Sequence, residues 1–135
     1  MKFINLAPTI PVKNMKESQK YYKEVLGFTP NWLWEDHFCS IGGGKKIEIH
    51  LSKAEKKFRG QTFYLYVDNA DKYYKIIKLN GGKIDEEIRS TPWGMREFVV
   101  KDINGHYFRI GNQEKGVNKI KQYKFYKNNE IKKAV

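Results

Sequence analysis

The chain has 135 residues, with 26 Lys and Arg against 15 Asp and Glu, a formal net charge of +11 and one cysteine. That length suits one domain rather than two cores of ordinary volume, and Cys39 alone excludes an internal disulfide and a cysteine-built zinc site. Hydrophobic residues at 40% and aromatics at 15%, in separated clusters, exclude wholesale disorder. No apolar run approaches the roughly 18 residues of a membrane span, and Met1–Leu6 lacks a signal peptide's apolar stretch. A soluble cytoplasmic protein is expected.

In chain order, Phe3–Ile10 reads as a strand ended by Pro8 and Pro11. Asn14 caps a helix, Glu17 takes the capping-box place, and Met15, Tyr22, Val25 and Leu26 form its apolar stripe up to Gly27. Three strands are expected over Phe28–Glu35, His37–Ile41 and Lys45–Ser52, the last two joined at Gly42-Gly43-Gly44. After a polar connector, Ala54–Gly60, the pattern begins again. Gln61–Val67 is a strand, Asp68 or Asn69 caps a helix that buries Ala70, Tyr73 or Tyr74, and Ile77, and Gly81-Gly82 ends it. Strands follow near Lys83–Ile88, Met95–Lys101 and His106–Asn112, with Asn104-Gly105 as a hairpin turn.

Val12-Lys13-Asn14 with Tyr21-Tyr22-Lys23 is echoed by Val67-Asp68-Asn69 with Tyr73-Tyr74-Lys75, and Gly44–Ile49 by Gly105–Ile110. Such self-similarity predicts two copies of one βαβββ unit, an α+β fold, with modules at about 1–53 and 61–112 of a single domain spanning 1–112. Neither copy covers its own sheet, so the two pack together or against copies in a second chain. Residues 113–135 form a Lys-rich extension with seven lysines and two glutamates. It is read as helical, burying Ile120, Tyr123 and Tyr126 against a partner chain, rather than as a nucleic-acid arm. The excess positive charge is lysine, with only Arg59, Arg89, Arg96 and Arg109 to offer planar bidentate contacts, so nucleic acid is not the expected partner.

The runs Pro11–Asn14, Tyr21–Phe28, Lys46–Leu51, Phe63–Asp68 and Thr91–Phe98, with Asp102–Gly111, resemble the vicinal oxygen chelate superfamily, which embraces glyoxalases, bleomycin resistance proteins and dioxygenases. Thr91-Pro92-Trp93-Gly94-Met95-Arg96-Glu97 and Arg109-Ile110-Gly111 are similar to its bleomycin resistance branch. The resemblance implies modules curled into a cupped, half-open barrel, usually in a homodimer, with a cavity at the junction of modules or chains. It also implies that enzymes of the superfamily hold a divalent metal there on the first and last strands of each module. Carried over by the Val12 and Val67 registers and the two glycine turns, those positions become Ala7, Glu48, Thr62 and Arg109. Only Glu48 is a good ligand, and a guanidinium repels a cation, so no metal or other cofactor is expected.

Glu48 and Arg109 then occupy equivalent places, which predicts either a carboxylate–guanidinium pair in the cup or an ordinary surface ion pair at Arg109 worth at most about 1 kcal/mol. His50 shares the face of Glu48 and reads as a pocket wall rather than an acid–base catalyst, since no nucleophile stands beside it. His37 and His106 lie next to turns and are expected to be solvated. Cys39 reads as a small buried hydrophobe. Many rings lie on strands, where alternation sends about half into the cup. The expected ligand-binding set is Trp32, Trp34, Phe38, Glu48, His50, Tyr64, Trp93, Met95, Tyr107 and Arg109, with no catalytic residue. The function expected is metal-free binding of an aromatic or amphipathic compound, such as an antibiotic of the bleomycin type, giving resistance by sequestration. The alternative is a metal-dependent glyoxalase-like lyase or thiol transferase.

Overall fold

In the computed structural model, residues 1–44 and 46–114 are described. Lys45 and the extension from 115 to 135 lie outside the described residues, and with them the helix expected there. Two sheets of four strands carry one helix each. The first unit runs β1 (Thr9–Val12), α1 (Met15–Glu24), β2 (Thr29–Trp34), β3 (Phe38–Gly43) and β4 (Ile47–Lys53). The second runs β5 (Thr62–Tyr66), α2 (Ala70–Leu79), β6 (Lys83–Ser90), β7 (Met95–Lys101) and β8 (Tyr107–Gln113). The sheet orders β1-β4-β3-β2 and β5-β8-β7-β6 are the same pattern twice. In each, the first strand lies parallel to the last and the other pairs are antiparallel. The expected α+β fold of tandem βαβββ modules is what the structure shows, without closure into a barrel.

Local chemistry explains the helix starts. The Asn14 side chain accepts from the Glu17 amide at 2.9 Å and that of Asn69 from the Lys72 amide at 3.0 Å, each satisfying an amide that the helix leaves without a partner. Both β3–β4 and β7–β8 turn at a glycine with positive φ, Gly44 at 62° and Gly105 at 86°, a conformation that disfavours any side chain.

The helix-facing sides of both sheets feed one core. Tyr22 and Phe28 of the first module meet Phe108 of the second at ring separations of 6.0 and 6.3 Å. Polar contacts seal the join: the Tyr22 hydroxyl donates to Asp102, the Lys13 amide donates to Asn104 Oδ1 at 2.8 Å, and Asn104 Nδ2 donates to Ser18 Oγ at 3.0 Å. His106, expected to be solvated, is fully buried in this join. Its Nδ1 accepts from the Gln61 amide at 3.0 Å and its Nε2 lies 2.6 Å from the Pro11 carbonyl, which fixes a neutral Nε2–H ring. Cys39 is buried as expected, and burial pushes its thiol pKa up.

The first strand is shorter than its sequence suggests. It begins at Thr9, and Phe3, Ile4 and Leu6 stand almost wholly in solvent, with Phe3 93% exposed. Strand propensity there is intact, but nothing among the described residues packs on these side chains, and burial rather than propensity stabilises a strand.

Candidate functional site

Sheet alternation sorts the candidate residues. On β3 and β4, Cys39, Ile41, Ile49 and Leu51 turn to the core, so Phe38, Ser40, Glu48 and His50 turn to the concave side. The antiparallel registers Trp32↔Ser40, Trp34↔Phe38 and Ser40↔His50 bring Trp32 and Trp34 onto that same face. There the Trp32, Phe38 and His50 rings form a triangle with centroids 5.2, 5.2 and 5.1 Å apart, edge-on or tilted to one another. Trp32 remains 44% exposed and Trp34 more so.

The carboxylate of Glu48 lies beside this triangle. Its Oε1 is 2.8 Å from His50 Nε2 and accepts from Ser40 Oγ at 3.1 Å, and its Oε2 accepts from Asn5 Nδ2 at 2.5 Å. Asn31 Nδ2 in turn donates to Ser40 Oγ at 3.0 Å. The bonds from His50 first and Ser40 second pull the Glu48 pKa below its usual range. Because Ser40 donates to Glu48 and not to His50, the imidazole is not placed to activate the hydroxyl as a nucleophile.

The second concave face is ionic. Glu97 of β7 is 1% exposed, accepting from Arg109 Nη1 at 3.0 Å and from the Tyr64 hydroxyl at 2.8 Å. Arg109 also donates from Nη2 to Glu86 at 2.7 Å. Burial works against the Arg109 charge, but the bond to Glu97 and the nearby charges of Glu86 and Glu97 outweigh it and raise its pKa. Burial, then the bond to Glu97, pushes Tyr64 well above the ordinary phenol value. Tyr64 and Tyr66 sit with ring centroids 4.5 Å apart, and Tyr107 lies under the Lys101 ammonium at 5.5 Å. Met95 opens β7, half-buried, and Trp93 stands in the turn before it under Arg89 at 5.6 Å.

Of the two arrangements left open for Arg109, the pair with Glu48 is not the one found, and one register is corrected. Glu48 and Arg109 do not pair with each other: Glu48 is held by His50, Ser40 and Asn5, and Arg109 by Glu97 and Glu86, each within its own module. The equivalence of Ala7 with Thr62 also slips by two residues. Thr9 pairs His50 while Tyr64 pairs Arg109, so Tyr64, not Thr62, is the neighbour of Arg109 as Ala7 is of Glu48. The helix caps are an unsafe register because the link between strand and helix differs in length.

Sequence reasoning missed Ser40, Asn5, Glu86 and Glu97. Glu97 had a usable signal, since it is two residues from Met95 and therefore on the same face. At the positions where the resemblance implies a divalent metal, the donor set does not fit one: a methyl group at Ala7, a phenol engaged by Glu97 and a guanidinium accompany the single carboxylate of Glu48. Among the described residues no three His, Cys, Asp or Glu side chains converge as a metal site.

Residues 5–110 match the family model of the Glyoxalase/Bleomycin resistance protein/Dioxygenase superfamily. The chain is 29% identical over 114 residues to the uncharacterized protein YwbC of Bacillus subtilis (strain 168), spanning 75% of this chain and 90% of that protein. Among solved structures, a glyoxalase-related enzyme from Clostridium phytofermentans aligns with a TM-score of 0.72 at 22% identity, over 84% of this chain and 98% of that one. The bleomycin-binding protein of bleomycin-producing Streptomyces verticillus, solved with copper(II)-bleomycin, aligns with a TM-score of 0.68 at 19% identity, over 84% and 99%. At these identities the two structures share the fold with this chain.

Proposed function

The chain belongs to the Glyoxalase/Bleomycin resistance protein/Dioxygenase superfamily, and from that premise we propose that it is a metal-free small-molecule binding protein acting as a homodimer. Its ligand is a flat aromatic compound that carries positive charge, of the bleomycin type, and sequestration confers resistance to it. The observation that carries this reading is the Trp32, Phe38 and His50 triangle beside the Glu48 carboxylate. Half-exposed rings supply stacking area, and a carboxylate kept ionised by two hydrogen bonds supplies a counter-charge.

The net charge of +11 repels a cation at long range, but that repulsion is screened within about 8 Å in physiological salt, where local charge decides. On the second concave face Glu86 and Glu97 are engaged by Arg109, whereas Glu48 on the first is bonded to a hydroxyl, an amide and an imidazole and, among the described residues, has no guanidinium or ammonium beside it to cancel its charge. Dimerisation is supported by the exposure of every residue of β2 and of the apolar side chains of Phe3, Ile4 and Leu6, which a second copy would cover. The neighbour with copper(II)-bleomycin supports the ligand class. No helix of the described residues is long and apolar enough to cross a membrane.

Tryptophan fluorescence of chelator-treated protein, titrated with metal-free bleomycin and with flat aromatic amines, tests the reading. Saturable quenching that Trp32→Ala and Glu48→Gln each weaken is expected. Turnover of an electrophilic substrate only after a divalent metal is added would instead establish the lyase or transferase alternative.

A further inference from the structure

The hydrogen bonds that Glu48 accepts are unevenly divided between its two oxygens. An ionised carboxylate accepts at about four lone-pair positions, two on each oxygen. Oε1 uses both of its own, on His50 Nε2 at 2.8 Å and Ser40 Oγ at 3.1 Å. Oε2 uses one, on Asn5 Nδ2 at 2.5 Å. Among the described residues nothing takes the remaining position on Oε2, so a ligand's charged group meets Glu48 there.

The three partners also differ in how firmly they are placed. Ser40 is fully buried on β3, and its hydroxyl is held by Asn31 of β2 at 3.0 Å. His50 stands on β4 with the Trp32 and Phe38 rings against its own. Asn5 belongs to no strand, and the repeat marks this as a departure. Matching Gly44 with Gly105 makes Lys46 the counterpart of Tyr107, and the parallel registers Thr9↔His50 and Tyr64↔Arg109 then make Asn5 the counterpart of Thr62. Thr62 is paired into its sheet opposite Tyr107, whereas the first module's strand begins only at Thr9. Beside Asn5, Ile4 and Leu6 are 92% and 86% exposed, and among the described residues the bond to Glu48 is the one side-chain hydrogen bond made by residues 1–8. Turning the Asn5 side chain away from Oε2 therefore breaks one bond at the surface and disturbs no strand. Displacing His50 or Ser40 would break packing as well.

We propose that Asn5 is the specificity-determining residue of the Glu48 face: a cation that presents two N–H donors side by side, an amidinium or guanidinium, must displace it from Oε2, and a single ammonium leaves it in place. The proposal rests on the ligand reading above and names the kind of cation that this site discriminates. An ammonium is a point charge that can aim one N–H at the vacant position, where it meets no competitor. A planar fork brings two N–H groups at once, and with Oε1 filled both have to be met at Oε2. Asn5 thus competes with forked cations and is indifferent to ammonium.

Titration of the full chain, labelled with nitrogen-15, with benzamidine and with benzylamine tests this, since the two share a ring and differ in the cation. The shift of the Trp32 indole N–H reports affinity. Asn5→Ala is expected to tighten benzamidine about fivefold, as removal of one competing hydrogen bond should, and to leave benzylamine within about twofold. In the wild type, the Asn5 side-chain amide signal should move as benzamidine saturates the protein and stay in place as benzylamine does. In a Glu48→Gln background, Asn5→Ala should no longer favour benzamidine. Equal benzamidine affinity in the wild type and Asn5→Ala overturns the proposal, as does equal tightening of both cations. Weaker benzamidine binding by the variant overturns it too, by making Asn5 a ligand contact. Each of these three results leaves the face standing as a binding site, whereas no binding of either compound to either protein overturns the ligand reading and this proposal with it.

Discussion

The concave faces of the two modules share a strand order and differ in how they treat charge. On the first, one carboxylate sits among half-exposed rings, and its hydrogen bonds come from a neutral hydroxyl, an amide and an imidazole. On the second, a carboxylate in the adjoining strand is fully buried and consumed by Arg109 and Tyr64. The same scaffold therefore holds an acid available to a ligand on one side and an acid committed to the fold on the other. What separates them is the neighbourhood: a guanidinium within bonding distance turns a recognition group into a structural one.

That contrast can be broken by substitution, and the largest effect is expected at Arg109. Arg109→Met leaves Glu97 buried with only Tyr64 beside it and should destabilise the domain by about 3 kcal/mol, read as a lowered midpoint of urea unfolding. Glu48→Gln on the opposite face should leave that midpoint nearly unmoved while weakening ligand binding. Equal losses of stability from the two would erase the distinction.

Tyr22→Phe, on neither face, removes a donor from Asp102 in the join between modules and should cost about 1–2 kcal/mol without altering affinity. Trp32→Ala is the converse. A ring 44% exposed contributes little to folding, so the midpoint should hold while affinity for an aromatic ligand falls about tenfold in a fluorescence or calorimetric titration. A folding defect as large as that of Tyr22→Phe would place Trp32 in the core instead.

The smallest effect is in pH. Because Glu48 titrates below its usual value of 4.5, its contribution to stability is complete above that value and fades as pH falls through the depressed one. His50→Gln removes the largest cause of the shift, so the Glu48 carboxyl should titrate closer to 4.5, followed by its carbon-13 shift, and binding of a cationic ligand should fail at a higher pH than in the wild type. An unchanged titration would detach His50 from the acid.

Most of the fold was legible because it is written twice: the caps at Asn14 and Asn69 and the turns at Gly44 and Gly105 are local signals that repeat. The first strand was overextended because Phe3, Ile4 and Leu6 are apolar residues leading into a strand, and no sequence pattern reports that nothing among the described residues packs on them. Alternation put Trp32 with Trp34 and Glu48 with His50, and the strand registers then bring both pairs to one face. It was silent on partners, which is why a Glu48 and Arg109 pair stood open beside an ordinary ion pair at Arg109 and Glu97 was overlooked: pairing depends on which strand lies alongside, a tertiary fact. His106 was misread for the same reason, since a histidine next to a turn is usually solvated and this one is covered by the connector.

The most direct test of a metal-free binding face is isothermal titration of the chelator-treated protein with metal-free bleomycin, repeated after adding zinc, nickel or manganese. Saturable binding with the same affinity in the presence and absence of metal is predicted. Binding that appears only with the metal, accompanied by stoichiometric uptake of the ion, would contradict the account.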